Sequence, residues 1–125
     1  MSDLTILNRP GGRAKPAPPT LKRWGQEETF FNEEYCCKKL TILPNKQTSS
    51  HFHIVKHETL YVTQGCLTIH WQDRDCNEKH TFLPAGSAFI IPPGMIHRLS
   101  AKDSTVIVLE SSTFDNPEDS IRVNY

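Results

Sequence analysis

The stretch HFHIVKHETLYVTQG, residues 51–65, carries the pattern that decides the fold of this chain. It opens with His51 and His53, and side chains two apart on a β-strand point to the same face. Glu58 lies five positions beyond His53, an odd offset that would send it to the opposite face of an unbroken strand. We therefore predict a bend over residues 55–57, after which Glu58 begins an interior row.

Short β runs separated by turn residues continue on both sides of this stretch. No segment of helical period longer than about ten residues appears. Gln64 and Gly65 predict a tight hairpin turn between two of the runs. Many short strands at regular turn spacing indicate an all-β sandwich or barrel. The predicted strands cover residues 37–43, 50–54, 59–63, 66–71, 79–83, 88–91 and 105–110.

A second element, IPPGMIHR at residues 91–98, supplies a third histidine. Proline fixes φ and Gly94 can take a positive φ, so the turn aims His97 at a fixed point. An isolated His-x-His pair is more often a surface feature than a metal site. A metal site becomes more probable here because the pair occurs together with the turn that leads to His97. Three imidazoles and one carboxylate leave two positions of an octahedral ion for water or substrate. We predict that one divalent ion is held by His51, His53, Glu58 and His97.

Composition excludes several classes of protein. The chain has 125 residues, enough for one domain with its own core, and 14 basic residues balance 14 acidic ones. Without a basic stripe, nucleic acid is not an expected partner. No apolar run approaches the roughly 20 residues that cross a bilayer, and the N-terminus lacks signal-peptide features, so a cytoplasmic protein is expected. The thiols are expected to be reduced, at Cys36, Cys37, Cys66 and Cys76.

The first 20 residues differ from the rest in composition. Residues 9–19 contain several prolines and glycines and no hydrophobic period, which predicts a flexible arm over residues 1–20. The apolar residues Leu4, Ile6 and Leu7 are suited to an edge strand or to a contact with a partner subunit. The folded β-barrel domain is predicted over residues 21–125.

These motifs resemble the two signatures of the cupin superfamily. The first signature is carried by His51, His53, Glu58 and Gly65, and the second by Gly86, Pro92, Gly94 and His97. The resemblance implies a double-stranded β-helix, also called a jelly-roll barrel. It also implies one bound divalent ion (Mn, Zn, Ni or Fe) and a homodimer.

A narrower likeness links the chain to the cupin domain of type II mannose-6-phosphate isomerases. It implies a sugar or sugar-phosphate isomerase or epimerase, in which the ion stabilises an enediolate. The implied catalytic residues are Glu58, Lys38 and Arg98. The implied substrate-binding residues are Lys38, Tyr61, Arg98 and Arg122. The likeness rests on residues 24–25, 38–40, 49–58, 91–98, 109–112 and 117–122.

Two other functions stay open. One is an Fe(II)-dependent dioxygenase, which predicts oxygen consumption and a more apolar pocket. The other is a non-catalytic sugar-binding or sensor cupin, which predicts a site without a positioned base. Lys38, Arg98 and Arg122 are equally compatible with solvated surface cations, and Tyr61 with core filling. His57, His70 and His80 are expected to be exposed or structural.

Overall fold

The structure, a computed structural model, describes residues 10–124 of the chain. These residues form strands almost throughout, with one short 3-10 helix at Pro117–Asp119. The strands are β1 (Thr20–Lys22), β2 (Gly25–Asn32), β3 (Cys36–Ile42), β4 (His51–His53), β5 (Glu58–Gln64), β6 (Cys66–Gln72), β7 (Glu78–Pro84), β8 (Ala88–Ile91), β9 (His97–Ser100), β10 (Val106–Ser112) and β11 (Ser120–Arg122). The all-β prediction is confirmed.

The strands pair in two antiparallel sheets. One has the order β1-β2-β3-β10-β5-β8 and the other the order β11-β4-β9-β6-β7. The chain passes repeatedly from one sheet to the other, so most sheet neighbours are distant in sequence. This double-sheet arrangement is the predicted jelly-roll barrel.

The core lies between the two inner faces of the sheets. Strand β3 shows the period that produces it, because every second residue is buried and the others are partly exposed. Strands β5 and β10 alternate in the same way near their centres. The buried apolar cluster contains Leu40, Ile42, Leu60, Val62, Leu67, Ile69, Leu83, Ile91, Leu99, Ala101, Val106 and Val108.

The interior rows change character at one end of the barrel. On β3 the row runs from buried aliphatic residues to Lys38, on β10 to Glu110, and on β5 to Glu58. On the opposite sheet, the row of β9 places His97 beside buried Leu99. Apolar packing therefore holds one end of the barrel together, while ionisable groups line the other end.

The hairpin predicted at Gln64 and Gly65 is wrong. The strands on either side, β5 and β6, belong to different sheets, so the chain turns a corner between the sheets instead of folding back on itself. Gly65 has φ of +80°, and a Cβ there would lie 2.5 Å from the backbone oxygen of Thr105. The corner therefore needs glycine for its backbone angle and for the close approach of the neighbouring chain.

The N-terminal region is described from residue 10 onward. Residues 10–19 contain no strand, and the backbone N–H of Ala17 donates a hydrogen bond of 3.0 Å to the carbonyl of Thr29. The predicted contacts of Leu4, Ile6 and Leu7 lie outside the described residues, and the boundary predicted between arm and domain stays a prediction. No helix among residues 10–124 is long and apolar enough to span a membrane.

Candidate metal centre

Two adjacent strands bring the three predicted histidines together. His51 on β4 lies directly opposite His97 on β9, and their ring centroids are 4.4 Å apart. His53 follows on the same face of β4, with its ring 5.0 Å from that of His51. One ring nitrogen from each histidine lies within 4.8 Å of the others, and His53 and His97 are buried.

The predicted bend before Glu58 is present, and a distant carboxylate holds it. Asp119 accepts hydrogen bonds from three consecutive backbone N–H groups, those of Ile54 (3.0 Å), Val55 (2.9 Å) and Lys56 (2.9 Å). Three donors turned toward one carboxylate are incompatible with an extended strand, in which successive N–H groups alternate in direction. The bend therefore reverses the face of the residues that follow and turns Glu58 inward.

The Glu58 carboxylate completes the group of four. Its Oε1 lies 3.6 Å from Nε2 of His97, and its Oε2 lies 3.7 Å from Nε2 of His53. The residue is only 5% exposed. Burial, followed by repulsion from Glu110, raises the pKa of Glu58 to about 7 against the opposing effect of Lys56.

Hydrogen bonds to the backbone orient two of the imidazoles. Nδ1 of His51 donates to the carbonyl of Ser49, and Nδ1 of His97 donates to the carbonyl of Met95, each at 2.9 Å. A carbonyl has no proton to give, so in the neutral ring Nδ1 carries the hydrogen and Nε2 keeps its lone pair. Orientation of this kind is typical of metal-bound histidine.

The histidines are held neutral, the form that binds a metal. Burial is the main cause in each. It lowers the pKa of His97 to about 3 together with the nearby His51, and that of His53 to about 4 together with Lys56. The pKa of His51 is lowered as well, again chiefly by burial.

Lys56 is a buried cation behind Glu58. Its Nζ lies 2.6 Å from Oε2 of Glu110, 2.9 Å from Oδ1 of Asp115 and 3.3 Å from Oε2 of Glu58. Burial alone would lower the pKa of Lys56, but these carboxylates outweigh it and raise the pKa, so the ammonium stays charged. Asp115 also accepts a hydrogen bond of 2.7 Å from Lys38, and its pKa is lowered to about 2 by these two lysines against the effect of burial.

The donor set fits a divalent ion. Three imidazoles and a carboxylate suit Mn, Fe, Ni and Zn alike, so the donors do not select one metal. Oε2 of Glu58 is buried and makes no hydrogen bond, although Lys56 balances its charge. That oxygen therefore has a lone pair left to offer on the side of the histidines.

A cavity of about 460 Å³ opens beside this group. Its lining includes the three histidines, Glu58 and the charged residues behind them. Trp24, Leu40 and Leu99 supply apolar surface to the same cavity. The volume suits a small molecule.

The other predicted site residues divide between the two faces of the sheets. Lys38 and Arg122 line the cavity. Arg98 follows His97 on β9, faces the outside of the barrel and lies beside His70. Tyr61 is 45% exposed and lies on the outer face of β5, away from the buried row. The structure does not bring Arg98 or Tyr61 to the cavity, and a function for either stays a prediction.

Five charged residues that line the cavity were missed in the sequence: Lys22, Glu27, Lys56, Glu110 and Asp115. Lys56 lies in the predicted bend, but nothing there indicates that it is buried. Glu110 could have been found, because it occupies an interior position of a strand that is otherwise aliphatic there, and a charge in such a row signals a site. Asp115 lies in a loop, and Glu27 lies on β2, a strand that was not predicted.

This fold and this donor set define a class: small jelly-roll barrels with an interior cluster of histidines beside a ligand cavity. Residues 39–111 match the Cupin_2 family, described as a cupin domain, and the chain belongs to that family. No curated protein sequence matches the chain significantly.

Several solved structures share the fold at low sequence identity. The capsular polysaccharide assembling protein CapF from Staphylococcus aureus is 14% identical, with a TM-score of 0.77 over 86% of this chain and 32% of CapF. A mutant of Bacillus subtilis oxalate decarboxylase OxdC is 12% identical, with a TM-score of 0.78 over 92% of this chain and 34% of its own. The chain thus spans about a third of either protein.

KdgF from Halomonas sp. is similar in size as well as in fold. It is 14% identical, with a TM-score of 0.73 over 87% of this chain and 98% of KdgF. At these identities the likeness shows the fold alone. The function must therefore be argued from the cavity.

Proposed function

We propose that this protein is a metal-dependent isomerase or epimerase of a small carbohydrate, either a sugar or a sugar phosphate. The observation that carries the proposal is the convergence of three imidazoles, two of them oriented by backbone carbonyls, and a carboxylate at one end of a cavity whose walls are rich in paired charges. The resemblance to the cupin domain of type II mannose-6-phosphate isomerases points to the same reaction class.

In this proposal His51, His53, His97 and Glu58 hold one divalent ion. When bound, the ion supplies Lewis-acid stabilisation of the negative charge that develops on two adjacent substrate oxygens. The backbone carbonyls of Ser49 and Met95 keep two of the rings in the required orientation. These two rings are therefore already oriented before a substrate binds.

Moving a proton between adjacent carbons also requires a base. Glu58 is occupied as a ligand, and Glu110 is held by Lys56 at 2.6 Å. Glu27 lines the cavity and contacts Lys38 at a longer distance, 3.7 Å, so its carboxylate is the most available of these. We assign Glu27 as the base and Lys38 as the cation that donates to a substrate oxygen. Lys38 keeps its charge because Asp115, against the effect of burial, raises its pKa.

The cavity favours this function over the two alternatives. A dioxygenase was expected to have a more apolar pocket, whereas this one contains four lysine or arginine and four aspartate or glutamate side chains. A purely binding protein was expected to lack a positioned base, and Glu27 supplies a candidate. Oxalate oxidase is among the structural neighbours, but it does not decide between these functions. At 19% sequence identity the likeness shows only a shared fold.

The test begins with protein purified without a His tag and loaded separately with Mn²⁺, Fe²⁺, Ni²⁺ and Zn²⁺. Hexoses and hexose phosphates are incubated with it in D₂O, and NMR follows interconversion and the loss of the proton at C2. An oxygen electrode follows the same mixtures. We expect proton exchange with at least one metal and no oxygen uptake. Oxygen consumption coupled to substrate loss would contradict the proposal.

Variants connect any activity to the cavity. Glu27→Gln is expected to reduce exchange at C2 by at least about 100-fold while the metal content stays unchanged. His53→Ala is expected to lose both metal and activity. His80→Ala, which removes an exposed histidine outside the cavity, is the matched control and is expected to keep both. Full activity in Glu27→Gln would remove Glu27 from the mechanism.

A further inference from the structure

The charges that line the cavity separate into a paired interior and an unpaired mouth. The interior set comprises the ammonium groups of Lys38 and Lys56 and four carboxylates, all joined by contacts of 2.6 to 3.7 Å. The carboxylates belong to Glu27, Glu58, Glu110 and Asp115. Two cations and four anions leave a formal charge of −2, which one divalent ion cancels.

The mouth carries two further cations. Lys22 and Arg122 line the same cavity and are exposed. Neither forms an ion pair with a carboxylate anywhere in residues 10–124. The two interior cations, Lys38 and Lys56, each contact a carboxylate. Among the cations that line the cavity, only Lys22 and Arg122 thus lack an acidic partner within residues 10–124.

Lys22 and Arg122 lie on strands from opposite ends of the described chain. Lys22 ends β1 and is paired with Gly25 in the turn that leads into β2. Arg122 ends β11, opposite His51 on β4. One cation therefore lies on each sheet, and both line the same cavity.

We propose that the ligand of this cavity is an anionic monosaccharide, whose charged group is bound at the mouth by Lys22 and Arg122. With a divalent ion in place the interior is electrically neutral and suits hydroxyl and carbonyl oxygens. The mouth keeps a formal charge of +2, which suits a phosphate or a carboxylate, and arginine binds either with two hydrogen bonds. Trp24, half-buried at the cavity wall, offers an apolar face to the C–H groups of the ring.

The inference rests on the proposed function only in taking the ligand to be a carbohydrate. Its test is binding rather than turnover, so the two can fail separately. Metal-loaded protein is titrated by calorimetry with mannose 6-phosphate, glucuronate and mannose. We expect one of the anions to bind at least about tenfold more tightly than mannose, and the stronger anion to identify the charged group as phosphate or carboxylate.

The double variant Lys22→Gln/Arg122→Gln is expected to weaken binding of that anion at least about tenfold, to leave mannose binding unchanged and to keep the metal. The control Arg74→Gln/Lys79→Gln removes the same charge from the region of the β6–β7 loop and is expected to bind like the unmodified protein. Equal affinity for mannose and both anions, or no loss in the Lys22/Arg122 variant, would overturn the inference. Anion binding that depends on Lys22 and Arg122 without proton exchange at C2 would uphold it and reject the isomerase.

Discussion

Two groups of histidines lie on opposite faces of the same five-stranded sheet. The inner group is His51, His53 and His97, and the outer group is His70 and His80, which lie directly opposite each other on β6 and β7. Ring proximity does not separate them, since the closest centroids are 4.4 Å apart inside and 4.7 Å apart outside. Among residues 10–124, only the inner group places three ligand atoms together.

The charges around each group make the difference. The inner rings face the Glu58 carboxylate, and the cation behind it is matched by acidic partners. His70 instead uses Nε2 in a hydrogen bond of 2.9 Å with Ser100 and lies beside Arg98. Burial first, and then Arg98, lowers the pKa of His70, and Arg98 acts on it more strongly than Glu78 does. The rings lie close together in both groups, so proximity does not identify the metal site. What distinguishes the inner group is the carboxylate beside it and ring nitrogens that are free to bind an ion.

The largest effect is expected from the cation behind the inner group. Lys56→Met leaves the buried carboxylates of Glu58 and Glu110 without their shared partner, and we expect a loss of about 3–5 kcal/mol in the free energy of unfolding. Chemical denaturation at pH 8 measures it. Lys79→Met, at an exposed lysine near the outer group, is expected to have no measurable effect. Equal stability of the two variants would show that the interior charges are not coupled through Lys56.

The next effect concerns the ligands themselves. His97→Ala is expected to weaken the binding of Zn²⁺ or Ni²⁺ at least about 100-fold, because it removes one of the nitrogens oriented in advance. Calorimetric titration of the metal-free protein measures the affinity. His80→Ala is the comparison on the outer face and is expected to bind metal as the unmodified protein does. Metal binding that depends on His80 and not on His97 would reverse the assignment of the two groups.

A third comparison uses two aspartates that hold loops in similar ways. Asp119 binds the N–H groups of the bend before Glu58, and Asp73 binds those of Asp75 and Asn77 in the loop between β6 and β7. Both alanine variants are expected to lower the Tm. Only Asp119→Ala is expected to weaken metal binding, by about tenfold, because only its loop positions a ligand. An unchanged metal affinity would mean that the bend forms without Asp119.

The smallest effect is expected on the outer face. Arg98→Gln removes the charge that lowers the pKa of His70 most, so this pKa is expected to rise but to stay below its ordinary value, because burial remains the larger cause. NMR titration of the imidazole C–H signals measures it. The signals of the inner histidines are expected to titrate as before. A pKa of His70 that does not move would show that Arg98 contributes nothing to the difference between the two groups.

Local pattern was sufficient for most of the individual strands. Alternation of apolar residues located β3, β5 and β10, and proline and glycine located the turns between them. Three of the strands that were missed have other causes: β2 is polar and evenly half-buried, and β1 and β11 are short, exposed edge strands. The hairpin at Gly65 was mispredicted because a tight turn and a corner between sheets both call for glycine, and only the pairing partners of β5 and β6 distinguish them.

The sequence by itself determined the all-β class, the bend before Glu58 and the four residues proposed as ligands, because these follow from the two-residue period of a strand and from the chemistry of imidazole and carboxylate. Only the tertiary structure decided that Lys56 is buried among three carboxylates, that Asp119 holds the bend and that Arg98 faces away from the cavity. Each of these depends on which distant strands pair and in which register. Long-range pairing leaves no local signal, because a charged residue looks the same in sequence whether its partner lies in solvent or on a strand fifty residues away.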